Sequence, residues 1–244
     1  MLEYKSLRAG DCAIVVEFGE RSDRRLNSLV IALAERLRHA SIDGVIEIVP
    51  TFRSLLVQYD PLRIVSAWLI GHIERIVPDL RVIDSAGRHW HLPICYDPEL
   101  APDLKDVADR CNLTIAQVIE RHSSVSYHVY MLGFLPGQAY MGDVPSELAL
   151  ARRASPRTKI PAGTVAIAAT MTCVFPLETP CGWHLIGRSP VRLWDPARGL
   201  TPLIGPGDQV TFSPLSLREY ENLLKKDADG QFTMVPIDAM EAAA

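Results

Sequence analysis

The stretch HVYMLGFLPGQAYMGDVP, residues 128–145, decides the fold. It opens as an apolar strand and is then broken by Gly133, Pro136, Gly137 and Gly142 among aromatic residues. A strand interior is weakened by each such break, because glycine brings backbone entropy and proline removes a ladder donor. Breaks of this kind mark turns between short strands. From Val125 to the neighbourhood of Ser216, helical spacing largely vanishes and short Val/Ile/Thr/aromatic runs alternate with LPG, PRTKIPAG, TPCG, IGRSP, DPARG and GPGD. Many short strands parted by Pro/Gly turns must close on themselves or pack sheet on sheet, since open edges invite aggregation. The pattern predicts a β-barrel.

Upstream the rhythm differs. KSLRAG and CAIVVEFG read as two strands around Gly10 and Asp11, the second closed by Gly19. Asn27 then suits the cap of a helix whose Leu29, Val30, Leu33, Ala34 and Leu37 share one face, ending near Gly44. VIEIVPTF and SLLVQYD follow as strands, and Asp60-Pro61 opens a second amphipathic helix that buries Ile64, Trp68 and Ile73 up to Pro78. Helices interleaved with hairpin strands pack as two layers, in the manner of a ferredoxin-like split unit. The expectation is therefore an α+β chain, with an α+β domain over 1–84 and a barrel domain over 85–244. HWHLPICYD reads as a strand near the start of the latter. Two short helices come next, the second opened by a Thr114-x-x-Gln117 capping box, and Ser216-x-x-Glu219 announces another after the barrel.

At 244 residues, 48% of them hydrophobic and 22% charged, the chain is able to bury two cores rather than stay disordered. A net charge of −4 without a basic, aromatic-interleaved run argues against nucleic acid as a partner. No apolar stretch is long enough to span a bilayer, and the start has no signal-like run, so a cytoplasmic protein without membrane contact is expected. The five cysteines are scattered and lack a C-x-x-C pair, which points away from a disulfide scaffold or a structural zinc site.

Phosphate-cradling, nucleophile-elbow and dinucleotide motifs are all absent, so an independent nucleotide site is not expected. His89 and His91 lie on one side of a strand and could share a metal, but two histidines on a water-facing edge explain the spacing as well, and no metal is assigned. His122, at a helix end beside Ser123, is either a general base or a partner of the helix C-terminus. Cys173 and Cys181 have no evident base, and buried cysteines usually behave as small hydrophobes. Arg152, Arg153, Arg157, Lys159 and Arg188 add cations whose guanidinium forks suit carboxylate or phosphate.

The ordered blocks HVYMLGFLPGQAYMG, RRASPRTKIPAGTVAIA, FPLETPCGWHLIGRSPVRLWDP and GPGDQVTFSPLS resemble the family of the 5-oxoprolinase B subunit. That family also takes in KipI-type inhibitors of a sporulation histidine kinase and the allophanate-hydrolase subunit 1 domain of urea carboxylases. The resemblance implies an N-terminal α+β domain and a cyclophilin-like barrel. It also implies one part of a hydrolase that opens 5-oxoproline to glutamate with ATP and two companions, the A component (LamB/YcsF-like) and the C component (KipA-like). ATP would serve through the complex, not through this chain. Inhibition of a sensor histidine kinase and a place in a biotin-dependent carboxyltransferase are the alternatives it carries.

By the same resemblance, Gly133, Phe134, Pro136, Gly137 and Tyr140 shape one wall of a groove, and Pro156, Arg157, Pro161, Ala162 and Gly163 another. Thr172, Pro176, Gly182, Trp183, Gly187 and Arg188 complete it. Arg157 and Arg188 are expected to hold a carboxylate or phosphorylated intermediate, Trp183 to supply an apolar wall, and His122 to be catalytic. The chain departs from the family at Gln138, where relatives carry an aromatic, at Met171 and Cys173 within AATMTCVFP, and at Cys181, where they carry glycine.

Overall fold

A computed structural model describes residues 2–21, 23–81, 87–199, 201–228 and 234–237. The chain divides into two compact units, Met1–Ala86 and Gly87–Ala244. The expected boundary after Asp84 lies outside the described residues.

The first unit runs β1 (Tyr4–Arg8), β2 (Ala13–Phe18), α1 (Arg24–Ala40), β3 (Val45–Pro50), β4 (Ser54–Tyr59) and α2 (Ser66–Ile76). Its sheet has the order β1-β2-β4-β3 with every pair antiparallel. Because β4 lies between β2 and β3 and opposes both, β2–α1–β3 is a split βαβ unit, the ferredoxin-like plan with its outer strand supplied ahead of the first helix. The predicted face of α1 is buried in one cluster with Ile14, Val16, Phe18, Leu55 and Val57.

The structure corrects two expectations in this unit. Asp23, not Asn27, caps α1, its carboxylate accepting from the Leu26 N–H at 2.8 Å. Asn27 sits in the first turn, fully buried, and its amide donates to the carbonyls of Thr51 and Phe52 at 3.0 and 3.2 Å, tying the helix to the β3–β4 turn. Trp68 is 52% exposed and stacks on His72 instead of entering the core. The helix it belongs to begins at Ser66, because Asp60 spends its carboxylate on the Leu62 N–H of a turn.

The second unit holds β5 (His89–Cys95), α3 (Leu104–Cys111), α4 (Ile115–Ser123), β6 (Tyr127–Leu132), β7 (Ala139–Gly142), β8 (Arg157–Ile160), β9 (Thr164–Ala168), β10 (Met171–Val174), β11 (Thr179–Cys181), β12 (His184–Arg188), β13 (Gln209–Leu215) and α5 (Leu217–Ala228). Seven strands close a barrel in the order β10-β7-β6-β13-β5-β12-β9, as the turn-rich pattern predicts, while β8 and β11 form a separate ribbon. Both capping boxes form, Thr114 with Gln117 and Ser216 with Glu219.

Strand alternation divides the barrel wall into two packed faces. Inward lie Trp90, Leu92, Val129, Met141, Val165, Ile167, Ile186 and Phe212. Outward, Ala166, Ala168, Cys173 and Leu185 join Ile160, Phe175, Cys181 and Trp183 in a second, smaller cluster. The β9 sequence TVAIA serves both: branched residues fill the interior, and the two outward alanines leave room for the ribbon. Among the described residues no helix is long and apolar enough to cross a membrane.

Candidate functional site

The opening stretch becomes β6, a six-residue turn and β7. The turn is stitched by Gly133 N–H to the Gln138 carbonyl at 3.1 Å, Leu135 N–H to Gly133 at 2.9 Å and Gln138 N–H to Leu135 at 3.1 Å. Gly137 has φ +73°, and a β-carbon there would stand 2.5 Å from the Trp194 β-carbon, so both conformation and space demand glycine. Phe134 also takes a left-handed conformation, φ 70°, and is 67% exposed. Stiffness and kinks thus fix where β7 begins and which of its side chains point out.

The ribbon is held to the barrel by one carboxylate. Asp103, buried at the start of α3, accepts from Arg157 through both oxygens at 2.7 and 2.9 Å, from Arg153 at 3.1 Å and from the Leu185 N–H of β12 at 2.8 Å. Leu185 returns the contact, its carbonyl accepting from the Asp103 N–H at 3.0 Å. Burial pushes the Asp103 carboxyl up, but the hydrogen bonds from Arg157 and Leu185 and the two guanidinium charges outweigh it and hold the group below the usual carboxylate range. Arg157 is therefore committed within the protein, and its expected part as a carboxylate ligand gives way to that of a clasp.

Against the outer barrel wall packs an aromatic cluster in which Phe175 and Trp183 are buried and Tyr140 is partly buried. Trp183 meets Tyr140 edge-on at 6.1 Å and Phe175 at 6.3 Å, and the Arg152 guanidinium lies over the Trp183 ring at 5.9 Å. Among the described residues no carboxylate pairs with Arg152, in contrast to Arg153 and Arg157. Cys173 stands opposite Tyr140 in the β10–β7 register. Burial raises the pKa of its thiol, and the nearby Gln138 side chain offsets part of that rise. Gln138 is 1% exposed, and its Oε1 has no partner. A buried acceptor left unmade costs on the order of 1–3 kcal/mol, which makes it a group that needs a reason.

His122 belongs to the opposite face of the wall. Its ring is fully buried, stacks on Phe212 at 4.7 Å, and uses both nitrogens: Nδ1 with the Tyr96 hydroxyl at 2.8 Å and Nε2 with the Thr172 hydroxyl at 3.0 Å. Burial pushes its pKa down to about 3, so the ring is neutral. The expected catalytic histidine is a barrel-core residue here, out of reach of a solute, and Thr172 is its partner rather than a groove residue.

The proposed groove is thus divided. Gly133 and Tyr140 adjoin, a β-carbon on the glycine falling 4.0 Å from the ring, and Tyr140, Trp183 and Arg157 belong to the outer wall and its ribbon. Gly187 packs against Ile94 and Cys95 with no room for a side chain. Arg188 lies beside Gly163 and its charge acts on the Tyr220 phenol of α5, while Arg157 is taken up by Asp103. Asp103 is missed by sequence reasoning, which names Arg152 only as one of five cations and Gln138 only as a departure from the family. Asp103 is joined to its partners across 50, 54 and 82 positions, a separation without a local signal. His89 bonds Thr211 at 2.8 Å, and among the described residues no group of three or more His, Cys, Asp or Glu is placed to hold a metal ion.

The family of the carboxyltransferase domain, subdomain C and D, matches residues 4–204. The 5-oxoprolinase B subunit of Bacillus subtilis (strain 168) is 35% identical over 233 residues, spanning 90% of this chain and 96% of its own. That of Escherichia coli O157:H7 is 37% identical over 205 residues, 84% of this chain and 93% of its own. Among solved structures, TTHA0988 is 35% identical with a TM-score of 0.75, covering 84% of this chain, which spans only 40% of TTHA0988. By its nearly end-to-end likeness to these relatives and by the matched domain, the chain belongs to the family of the 5-oxoprolinase B subunit, built on the carboxyltransferase subdomain C and D fold.

Proposed function

We propose that this chain is the B component of an ATP-dependent 5-oxoprolinase, acting with companion A and C components to hydrolyse 5-oxoproline to L-glutamate. The observation that carries the reading is the extent of the match, 96% and 93% of the length of two relatives named as that component. The geometry fits a substrate-holding part better than a nucleotide-binding one. A triphosphate needs several free cations or backbone amides in one nest. Beside the aromatic wall, Arg153 and Arg157 are tied to Asp103, which leaves Arg152. ATP is accordingly assigned to a companion.

For the reaction itself, water must add to the lactam carbonyl and the ring C–N bond must break, the nitrogen leaving as the amine of glutamate. The lactam is a poor electrophile, so holding it in register with an activating group on a companion protein is where a binding component contributes rate. The outer wall offers the partly exposed Tyr140 ring and the exposed Arg152 cation for that purpose. Co-purifying the chain with A and C homologues and measuring glutamate release tests the reading. ATP-dependent release that requires this chain is expected. Release that is the same without it, or a chain that only lowers autophosphorylation of a sensor histidine kinase, would replace the reading.

A further inference from the structure

The first unit carries a group of large apolar side chains that its own fold leaves in water. Leu62 is 95% exposed, Val65 70% and Ile46 62%, and Trp68 is half-exposed beside them. Leu62 and Ile46 come together because the turn at 60–64 packs on the start of β3. The Asp60 N–H donates to the Gly44 carbonyl at 2.8 Å, and a β-carbon on Gly44 would stand 2.8 Å from Ile64. Ile46 is the extra residue of a bulge, since Val45 opposes Tyr59 and Glu47 opposes Gln58, and a bulge re-aims the side chain it leaves unpaired. Exposed hydrophobics scattered singly need no explanation, whereas a contiguous group rimmed by polar residues marks an interaction surface.

The edge of the sheet here is not open to a further strand. β3 is last in the sheet order, but the bulge breaks its ladder and the Arg38 guanidinium donates to the Ile48 carbonyl at 3.0 Å. Association at this face therefore runs through side chains. Beside Ile46 lies a hollow of ≈ 670 Å³, lined by Ile42, Gly44 and Ile46 and, on the side of Leu62, by Asp60 and Arg63. A projecting leucine and a hollow that could receive one stand side by side. The rim is charged in both senses, Arg38 and Arg63 against Asp43 and Glu47, and Arg63 pairs with Asp43 at 2.5 Å while both remain exposed. A partner charged in one sense only would be repelled by half of this rim. A second copy matches it, because in a two-fold interface every contact is made twice, i to j and j to i, so a knob beside a hollow and a cation beside an anion complement their own image.

We propose that two copies of this chain associate through this face about a two-fold axis, with Leu62 of each copy seated in the hollow beside Ile46 of the other. Val65 and Trp68 are covered at its margin, and Arg63 of one copy faces Asp43 of the other. The interface belongs to the first unit and stands whether or not the 5-oxoprolinase reading does.

Sedimentation equilibrium or light scattering on the purified full chain over a range of concentrations reads the association directly. The wild type is expected to pass from monomer to dimer as the concentration rises. Leu62→Ser, which removes the knob, and Ile46→Arg, which blocks the hollow, are each expected to weaken the dimer by about tenfold or more. Ile115→Ser, which alters an exposed apolar side chain of α4 in the second unit, is expected to leave it unchanged. Leu62 and Ile46 are both exposed in the single chain, so neither change empties a core, and circular dichroism checks that the variants fold. An equimolar mixture of Leu62→Ser with Ile46→Arg restores one of the two seats, so its heterodimer is expected to be tighter than either variant's homodimer; a face that is merely sticky shows no such gain. A chain that stays monomeric at every soluble concentration, a dimer insensitive to both variants, a mixture without gain, or a monomer that uses this face only for a different protein would overturn the proposal.

Discussion

Thr172 and Cys173 are neighbours on β10, yet each anchors a polar cluster of opposite character. Thr172 points inward, and the group it joins is complete: both nitrogens of His122 are engaged, the Thr172 hydroxyl also donates to the Ala166 carbonyl at 3.2 Å, and the Tyr127 hydroxyl caps the His122 carbonyl at 2.8 Å. Cys173 points outward, and its group is incomplete, with Gln138 Oε1 unpartnered and Arg152 resting on a ring rather than a carboxylate. A satisfied buried network specifies a core; an unsatisfied one calls for an explanation. The difference sorts titratable residues by their partners rather than by their reputation for catalysis, and it puts the buried, doubly bonded histidine with the core.

The strongest way to break the outer cluster without touching its surface is through the clasp. Asp103→Ala leaves two part-exposed guanidinium groups and the buried Leu185 N–H without their acceptor, so the cost is expected to exceed the ~1 kcal/mol ceiling of a surface pair while staying below the ~3–5 kcal/mol of a fully buried one. Urea unfolding is expected to show that loss, with the protease sensitivity of residues 151–160 rising as the ribbon loosens. A change below about 1 kcal/mol would mean that the clasp is ornamental. Since the folded carboxyl is depressed, its stabilisation is present above the ordinary carboxylate pKa and fades as the pH falls below about 4.

The inner cluster makes its own prediction from the opposite kind of group. His122 is neutral in the fold down to about pH 3, whereas the unfolded chain takes up the proton near 6.5. Unfolding therefore binds a proton between those values, and stability falls as the pH is lowered from 6.5, by about 1.4 kcal/mol per unit from this group. Between pH 4 and 6 the slope of wild type minus His122→Gln isolates it. A flat difference across that window would place the ring in contact with water and revive its candidacy as a base.

Local grammar carries much of the fold. The two capping boxes, the apolar face of α1 and the alternating strands are decided by residues within a turn or a strand of one another, and their positions are legible. Asn27 misleads because an asparagine before an apolar run looks like a cap; its actual partners lie 24 and 25 positions away. Trp68 misleads because its spacing fits the buried face, although the helix begins late enough to turn it outward. The site is legible only in part. Tyr140 and Trp183 announce themselves as aromatics among turn residues, but the choice among arginines depends on which of them Asp103 occupies, and that pairing spans half a hundred residues.

The contrast between the two clusters is tested most directly by one pair of variants in the reconstituted lactam-opening assay, each corrected for its folded fraction from thermal melts. Arg152→Gln, altering an exposed side chain without an ion pair, is expected to shift stability by less than about 0.5 kcal/mol and to raise the KM for 5-oxoproline at least tenfold. His122→Gln is expected to lower the melting temperature and to leave kcat and KM per folded molecule within about twofold of wild type. Normal kinetics for the arginine variant together with lost turnover in the folded histidine variant would contradict the account.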